Sequence, residues 1–157
     1  MPNQQSLYAL CGEGVRELSR SPEEWLGFLR TACRNYRCPF PEQLLIYKQR
    51  PEATAVLELE RWNALFGRWV NRGAQGIAVL DHSGDSVKIK YYFDIADTHP
   101  GAGAREVPLW TAREEYAQTM IAALEASFGP LEKSGSLADA IISASKRIAA
   151  DNISDRL

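Results

Sequence analysis

Histidine is almost absent from this sequence, with two residues, and cysteine is scarce and odd in number, with three. Cys11, Cys33 and Cys38 form no CxxC pair, and His82 and His99 lie far from them along the chain. Such spacing fits neither a zinc site nor a disulfide scaffold, so reduced thiols and no bound metal are expected. Long apolar runs are missing too: none approaches the roughly 18 residues that a membrane helix needs. The opening Met-Pro-Asn-Gln-Gln-Ser lacks the basic-then-apolar pattern of a secretion signal, which makes the cytoplasm the default compartment. HExxH, GxSxG, GxxxxGK(S/T) and GxGxxG are all absent, so no enzyme and no cofactor follow from motifs. Asp94, Asp97, Thr98 and His99 could suggest an acid–base or metal cluster. Asx-type capping at a strand end accounts for that spacing more simply. His82 falls in turn chemistry and is expected to face solvent.

What is present is an ordinary globular composition. The chain has 157 residues, 45% hydrophobic and 24% charged, enough for one compact domain. Net charge is −2, so the chain as a whole is no polycation, but the charge is unevenly spread. Between Arg30 and Arg50 stand Arg30, Arg34, Arg37, Lys48 and Arg50 against Glu42 alone, whereas acids outnumber bases after Glu114. One basic surface is the expectation.

Periodicity and punctuation predict helices first. One covers about Gln4 to Ser19, weakened by Gly12 and Gly14. A second starts at Ser21 as N-cap, with Pro22 at the first position and Glu24 to close a capping box, and carries Trp25, Phe28, Leu29 and Ala32 on one face. A third runs from Glu42 to about Gln49, after Pro41 and ahead of Pro51. Ala53 to Leu57 reads as an extended connection, and Glu58 to Phe66 as a short helix bearing Leu59, Trp62 and Leu65. Gly67 and Gly73 bracket Arg68-Trp-Val-Asn-Arg72, which reads as an exposed basic and aromatic turn.

The β signal is a hairpin. Gly76 to Asp81 is followed by the turn His82-Ser-Gly-Asp85 and by Ser86 to Asp94. In that last stretch Val87, Ile89, Tyr91 and Phe93 alternate with Lys88, Lys90, Tyr92 and Asp94. Thr111-Ala-Arg-Glu114 predicts a capped helix to about Phe128, stapled by Leu109 and Trp110 and burying Tyr116, Met120, Leu124 and Phe128. Ser136 is expected to cap a last helix with Leu137, Ile141, Ala144 and Ile148 in register. The fold class is therefore α+β: a helical N-terminal part, a central antiparallel hairpin or small sheet, and two C-terminal helices.

Cations and flat rings cluster in the centre: Tyr36, Arg37, Tyr47, Lys48, Arg50, Trp62, Arg68, Trp69 and Arg72, with Lys88, Lys90 and Tyr92 on a strand. Single-stranded DNA offers both phosphates and open base faces, so its binders need cations and aromatic platforms together. Trp62 lies on an apolar helix face and reads as core. In this reading Arg37, Lys48, Arg50, Arg68, Arg72, Lys88 and Lys90 contact phosphates. Tyr36, Trp69 and Tyr92 stack on bases, with Tyr47 a further ring of the site.

A resemblance adds to this. Gln49-Arg-Pro-Glu-Ala-Thr-Ala-Val56, Trp62-Asn-Ala-Leu-Phe-Gly-Arg-Trp-Val-Asn-Arg-Gly73, Gly76-Ile-Ala-Val-Leu80 and Tyr92-Phe-Asp-Ile-Ala-Asp-Thr98 together resemble the N-terminal domain of ArdC-type antirestriction proteins. That family's pattern is Gln-x-Pro-x-Ala-Thr, a Trp before Gly-Arg-x-Val-x-x-Gly, a strand opening Gly-Ile, and Phe-Asp-(Ile/Val)-x-x-Thr. The likeness spans about Trp25 to Thr98. It implies a single-stranded-DNA-binding domain of plasmids, conjugative elements and phages, preceding a zinc metallopeptidase-like domain that this chain lacks. It also implies that the chain, whose last residues Asp151 to Leu157 carry no terminating feature, is part of a longer polypeptide with further domains. The turn Asn71-Arg-Gly-Ala-Gln-Gly76 is poorer in cations than the family's lysine-rich turn, which implies a weaker grip on phosphate. A competing reading is a protein-interaction module that docks an adjacent enzymatic domain or a host restriction component through its acidic C-terminal helices.

Overall fold

A computed structural model of the chain describes residues 2–111, 113–131 and 137–154. The fold is α+β, with six α-helices and small antiparallel sheets among these residues. It divides into two compact units, Met1–Thr111 and Ala112–Leu157.

The first unit begins with three helices. In α1 (Gln4–Leu18) the Asn3 side chain accepts from the Ser6 amide at 2.8 Å, and the Ser6 hydroxyl accepts from the Asn3 amide at 3.0 Å. This reciprocal cap satisfies two otherwise orphaned donors. Gly14 does not break the helix, because its missing side chain lets Leu44 pack against it: a Cβ there would lie 2.9 Å from Leu44. Helix α2 (Pro22–Arg34) starts at Ser21, whose hydroxyl accepts from the Glu24 amide at 3.2 Å. The expected capping box is only half made, since the Glu24 carboxylate accepts from the Tyr47 hydroxyl instead. Helix α3 (Phe40–Gln49) buries Leu44, Leu45 and Ile46 completely, each such burial contributing roughly 1.5–3 kcal/mol.

The sheet elements follow: β1 (Val56–Leu57), α4 (Leu59–Phe66), β2 (Arg68–Val70), β3 (Ile77–Asp81), β4 (Lys88–Asp94), a 3-10 turn (Ile95–Asp97) and β5 (Thr98–Pro100). One sheet has the order β1-β4-β3, with Val56 opposite Asp94 and Ile77 opposite Tyr92. The core gathers Leu7, Leu45, Ile46, Ala53, Val56, the Ile77–Leu80 run and Tyr92, while Phe28, Ala32 and Leu44 form a second cluster with Trp25 and Tyr47. Trp62 is fully buried, and its indole donates to the Phe93 carbonyl at 2.8 Å.

Two expectations are corrected here. Arg68-Trp-Val is not a turn but a strand: β2 pairs antiparallel with β5, so a two-stranded ribbon stands apart from the hairpin sheet. Along β4 it is Tyr92 and Asp94 that are buried, and Lys90 is half-buried with them. Their polar ends find partners inside, so the polar half of the alternation is no solvent face.

In the second unit, α5 (Ala117–Phe128) follows a 3-10 turn (Glu114–Tyr116), and Arg147 of α6 (Leu137–Ser154) donates to the Phe128 carbonyl at 3.0 Å. The helix expected from the capping box thus starts later. It buries Ala117 and leaves Tyr116, Met120 and Phe128 exposed, contrary to the expected core, with Leu124 half-buried. Leu109 and Trp110, the expected staple, are exposed. In α6, Ala144 is buried and Ile141 exposed. Ala112, the Glu114 side chain, Ser136 and the side chains of Leu137 and Ile148 lie outside the described residues. No helix among the described residues is long and apolar enough to cross a membrane.

Candidate functional site

The β2–β5 ribbon is held by residues well separated in sequence. Helix α4 ends on Gly67, whose φ of 60° is left-handed and suits glycine, and its amide bonds back to the Asn63 carbonyl. The chain then turns directly into β2, with Arg68 opposite Pro100, Trp69 opposite His99 and Val70 opposite Thr98. The Arg68 guanidinium clamps the pair, Nε donating to Thr98 Oγ1 at 2.7 Å and Nη2 to the Thr98 carbonyl at 3.0 Å. Beyond β2, the Asn71 amide donates to the Asp97 carbonyl at 2.8 Å.

Beneath the ribbon sit two carboxylates. Asp94 is 2% exposed and accepts from the amides of Thr54 at 2.6 Å, Ala55 at 3.1 Å and Ala96 at 2.9 Å. Its bond to Ala96 is the Asx-type cap expected of this loop. Asp97 takes a hydrogen-bonded ion pair from Arg50, which raises the arginine's pKa further. The motif residues Arg50, Thr54, Arg68, Asp94, Asp97 and Thr98 therefore work as scaffold.

On that scaffold Trp69 is 54% exposed. Its indole lies against Gly101, where a Cβ would fall 2.8 Å from Trp69 Nε1 and 3.0 Å from the Gly67 carbonyl oxygen. The cross-strand neighbour His99 is also exposed, and its Nδ1 meets the Asn71 side-chain amide at 2.7 Å. Arg72 is exposed and has no ion pair or side-chain hydrogen bond among the described residues. Arg105 is exposed beside the start of the ribbon, its amide donating to the Phe66 carbonyl at 2.9 Å. Asn71 and Arg105 are not among the site residues expected from the sequence, and His99 stands out there only beside the capped strand end at Asp94 and Asp97. Asn71 follows Trp69 by two positions, and only the pairing of β2 with β5, about thirty positions later, brings His99 opposite Trp69.

The remaining expected contacts do not converge here. Tyr92 is 8% exposed and cannot stack on a base: its hydroxyl donates to Glu42 at 2.7 Å. Lys90 pairs with the same carboxylate at 2.8 Å and lies over the Tyr92 ring. Burial raises the Tyr92 pKa. For Lys90, burial opposes the charge, but Glu42 outweighs it and the pKa is raised. Cys38 packs beside this cluster, its thiol pushed up to about 11 by burial and then by the Glu42 charge. Tyr47 is half-buried edge-on to Phe28 and donates to Glu24 at 2.7 Å; burial and that bond push its hydroxyl up to about 12. Lys48 is paired with Glu17 at 2.6 Å. Tyr47, Lys48, Arg50, Lys90 and Tyr92 thus serve the fold, and Arg68 serves the ribbon.

Three of the expected residues stay outside. Tyr36 and Arg37 are exposed in the turn after α2, with the guanidinium 5.6 Å from the ring centroid. Lys88 is exposed at the end of β4, opposite Asp81. No described hydrogen bond or ring contact joins either place to the ribbon. His82 is exposed in the hairpin turn, as expected. Among the described residues no three His, Cys, Asp or Glu side chains come together as a metal site.

No family model matches the chain, and neither a curated protein nor a solved structure does. The likeness to ArdC-type domains rests on the quoted residues alone.

Proposed function

We propose that the chain is a non-catalytic single-stranded-DNA-binding module of an ArdC-type antirestriction protein of a mobile genetic element, acting in the cytoplasm. The observation that carries this reading is the Trp69 indole. It is 54% exposed on a ribbon braced by Arg68–Thr98, Asn71–Asp97 and Gly101–Gly67 bonds. A large ring held outward on a rigid element suits stacking, because the bound geometry is already set and little side-chain freedom is lost. A base lies on the indole, Arg72 takes the neighbouring phosphate, and Asn71 and His99 offer polar contacts at the rim. Duplex bases are already stacked, so the platform selects unpaired strands.

The interface is small, and several cations expected to reach phosphate are held in internal ion pairs. Affinity is therefore micromolar or weaker, with a shallow salt slope of about −0.7 per phosphate contact. Fluorescence anisotropy of a labelled oligothymidylate at two salt concentrations tests this; absence of binding at low salt overturns it. A second reading, docking of an adjacent enzymatic domain or a host restriction component, is favoured by one observation: Tyr116, Met120, Phe128 and Ile141 are exposed on the second unit's helices. Combined Trp69→Ala and Arg72→Ala separates the two, since DNA retention is lost under the first reading and unchanged under the second.

A further inference from the structure

Part of the hairpin sheet's surface carries chemistry opposite to that of the ribbon. Glu58, Leu59, Glu60, Gly76, Tyr91 and Phe93 line an open depression of about 440 Å³. Tyr91 and Phe93 stand two apart on β4, so their half-buried rings share the face opposite Tyr92. Gly76 leaves room above them, since a Cβ there would fall 3.0 Å from Tyr91 Cβ and 3.2 Å from Phe93 Cζ. Glu58 and Glu60, at the start of α4, supply two negative charges. Neither has an ion pair or side-chain hydrogen bond among the described residues, and no cation lines the depression. Two unpaired carboxylates beside two rings attract a flat cation, which can stack on a ring and fork to a carboxylate.

The backbone next to it lacks a partner strand. Strand β1 covers only Phe93 and Asp94, so the preceding part of β4 has no strand beside it on that edge. The Phe93 carbonyl points to that edge, where it accepts from Trp62. By strand alternation the peptide groups of Tyr91 and Ile89 point the same way. No strand among the described residues pairs with them there. Open edges of this kind accept an added extended segment.

We propose that this edge and depression bind an extended basic peptide, with an arginine side chain lying on Tyr91 and Phe93 between Glu58 and Glu60. The site is independent of the ribbon and carries the opposite charge, so nucleic acid is repelled from it. The test titrates the full chain into fluorescein-labelled Ser-Val-Arg-Val-Ser and into the same peptide with citrulline, neutral but of the same shape, in place of arginine. The arginine peptide is expected to bind and the citrulline peptide to bind at least about fivefold more weakly. Glu58→Gln and Tyr91→Ala, each with unchanged circular dichroism, weaken the arginine peptide by a similar factor, while Trp69→Ala leaves it unaltered. Amide exchange at Ile89 and Tyr91 slows in the complex. Equal binding of the two peptides, an unaffected Glu58→Gln variant, or unchanged exchange at Ile89 and Tyr91 overturns the proposal.

Discussion

The side-chain amide of Gln49 pairs with the backbone of Ala78 as a neighbouring strand would: Nε2 donates to the Ala78 carbonyl at 2.8 Å and Oε1 accepts from the Ala78 amide at 3.0 Å. The free edge of β3 is thereby closed by one residue of α3. Gln49→Ala removes both bonds while leaving room for water to replace them. A loss of about 1 kcal/mol is expected, seen as a lower urea midpoint with an unchanged slope. Gln49→Glu should cost more than Gln49→Ala, because a carboxylate cannot donate to the Ala78 carbonyl and repels it. The reverse order would mean that the pairing contributes nothing.

Asp94 carries a heavier duty, since three backbone amides from two segments end on its carboxylate. Asp94→Ala leaves those donors facing a gap that is 2% exposed, and about 3 kcal/mol of stability should be lost. Asp94→Asn keeps the shape but replaces one acceptor oxygen with a donor, so the loss falls between wild type and alanine. Thermal unfolding of the two variants checks the order.

How far the sequence discloses this arrangement depends on the distance between partners. Ser21 with Pro22, the glycines around β2 and the hairpin turn act within a few residues, and the helix starts and the hairpin are legible from them. The burial along β4 is legible only in part. Val87, Ile89 and Tyr91 of the apolar set do pack against the core, half-buried, yet Tyr92 and Asp94 on the other face are the more deeply buried positions. Their polar groups are satisfied by Glu42 and by the Thr54 and Ala55 amides, some forty to fifty positions away. Local alternation cannot register a partner at that distance. The same holds for β2, whose pairing strand contains Pro100 and has little local strand character. At the candidate site, Trp69 and Arg72 are legible because the flanking glycines and polar residues mark an exposed segment. His99 is not, because cross-strand pairing alone places it.

Cys38 and Tyr47 give a prediction at alkaline pH. Both are acids whose protonated form is favoured in the fold: Cys38 moves from 9.0 to about 11 and Tyr47 from 10.0 to about 12. A raised folded-state pKa contributes stability that is complete below the unfolded value and lost as pH rises through the folded one. The urea midpoint should therefore hold to about pH 9 and fall between pH 9 and pH 12. Cys38→Ala should flatten the first part of that decline and leave the later part. A midpoint that is level to pH 12 would contradict the packing described around Glu42 and Glu24.

Trp69 and Gly101 set the last prediction, because they separate the ring from the way it is held. Trp69→Ala removes an indole that is 54% exposed, so its cost to stability should stay below about 1 kcal/mol. Its effect on oligonucleotide binding should be larger, since one lost stack corresponds to about 1–3 kcal/mol, or roughly five- to 150-fold in affinity. Gly101→Ala keeps the ring but adds a methyl 2.8 Å from Nε1 and 3.0 Å from the Gly67 carbonyl oxygen, so the indole must swing away. Binding should then fall although tryptophan is still present. Tyr92→Phe should do the opposite, lowering stability by removing a buried donor to Glu42 while leaving affinity per folded molecule unchanged. Anisotropy and urea denaturation on the same three variants give both readouts. If Trp69→Ala binds oligothymidylate as wild type does, stacking on this ribbon is not how the chain holds DNA.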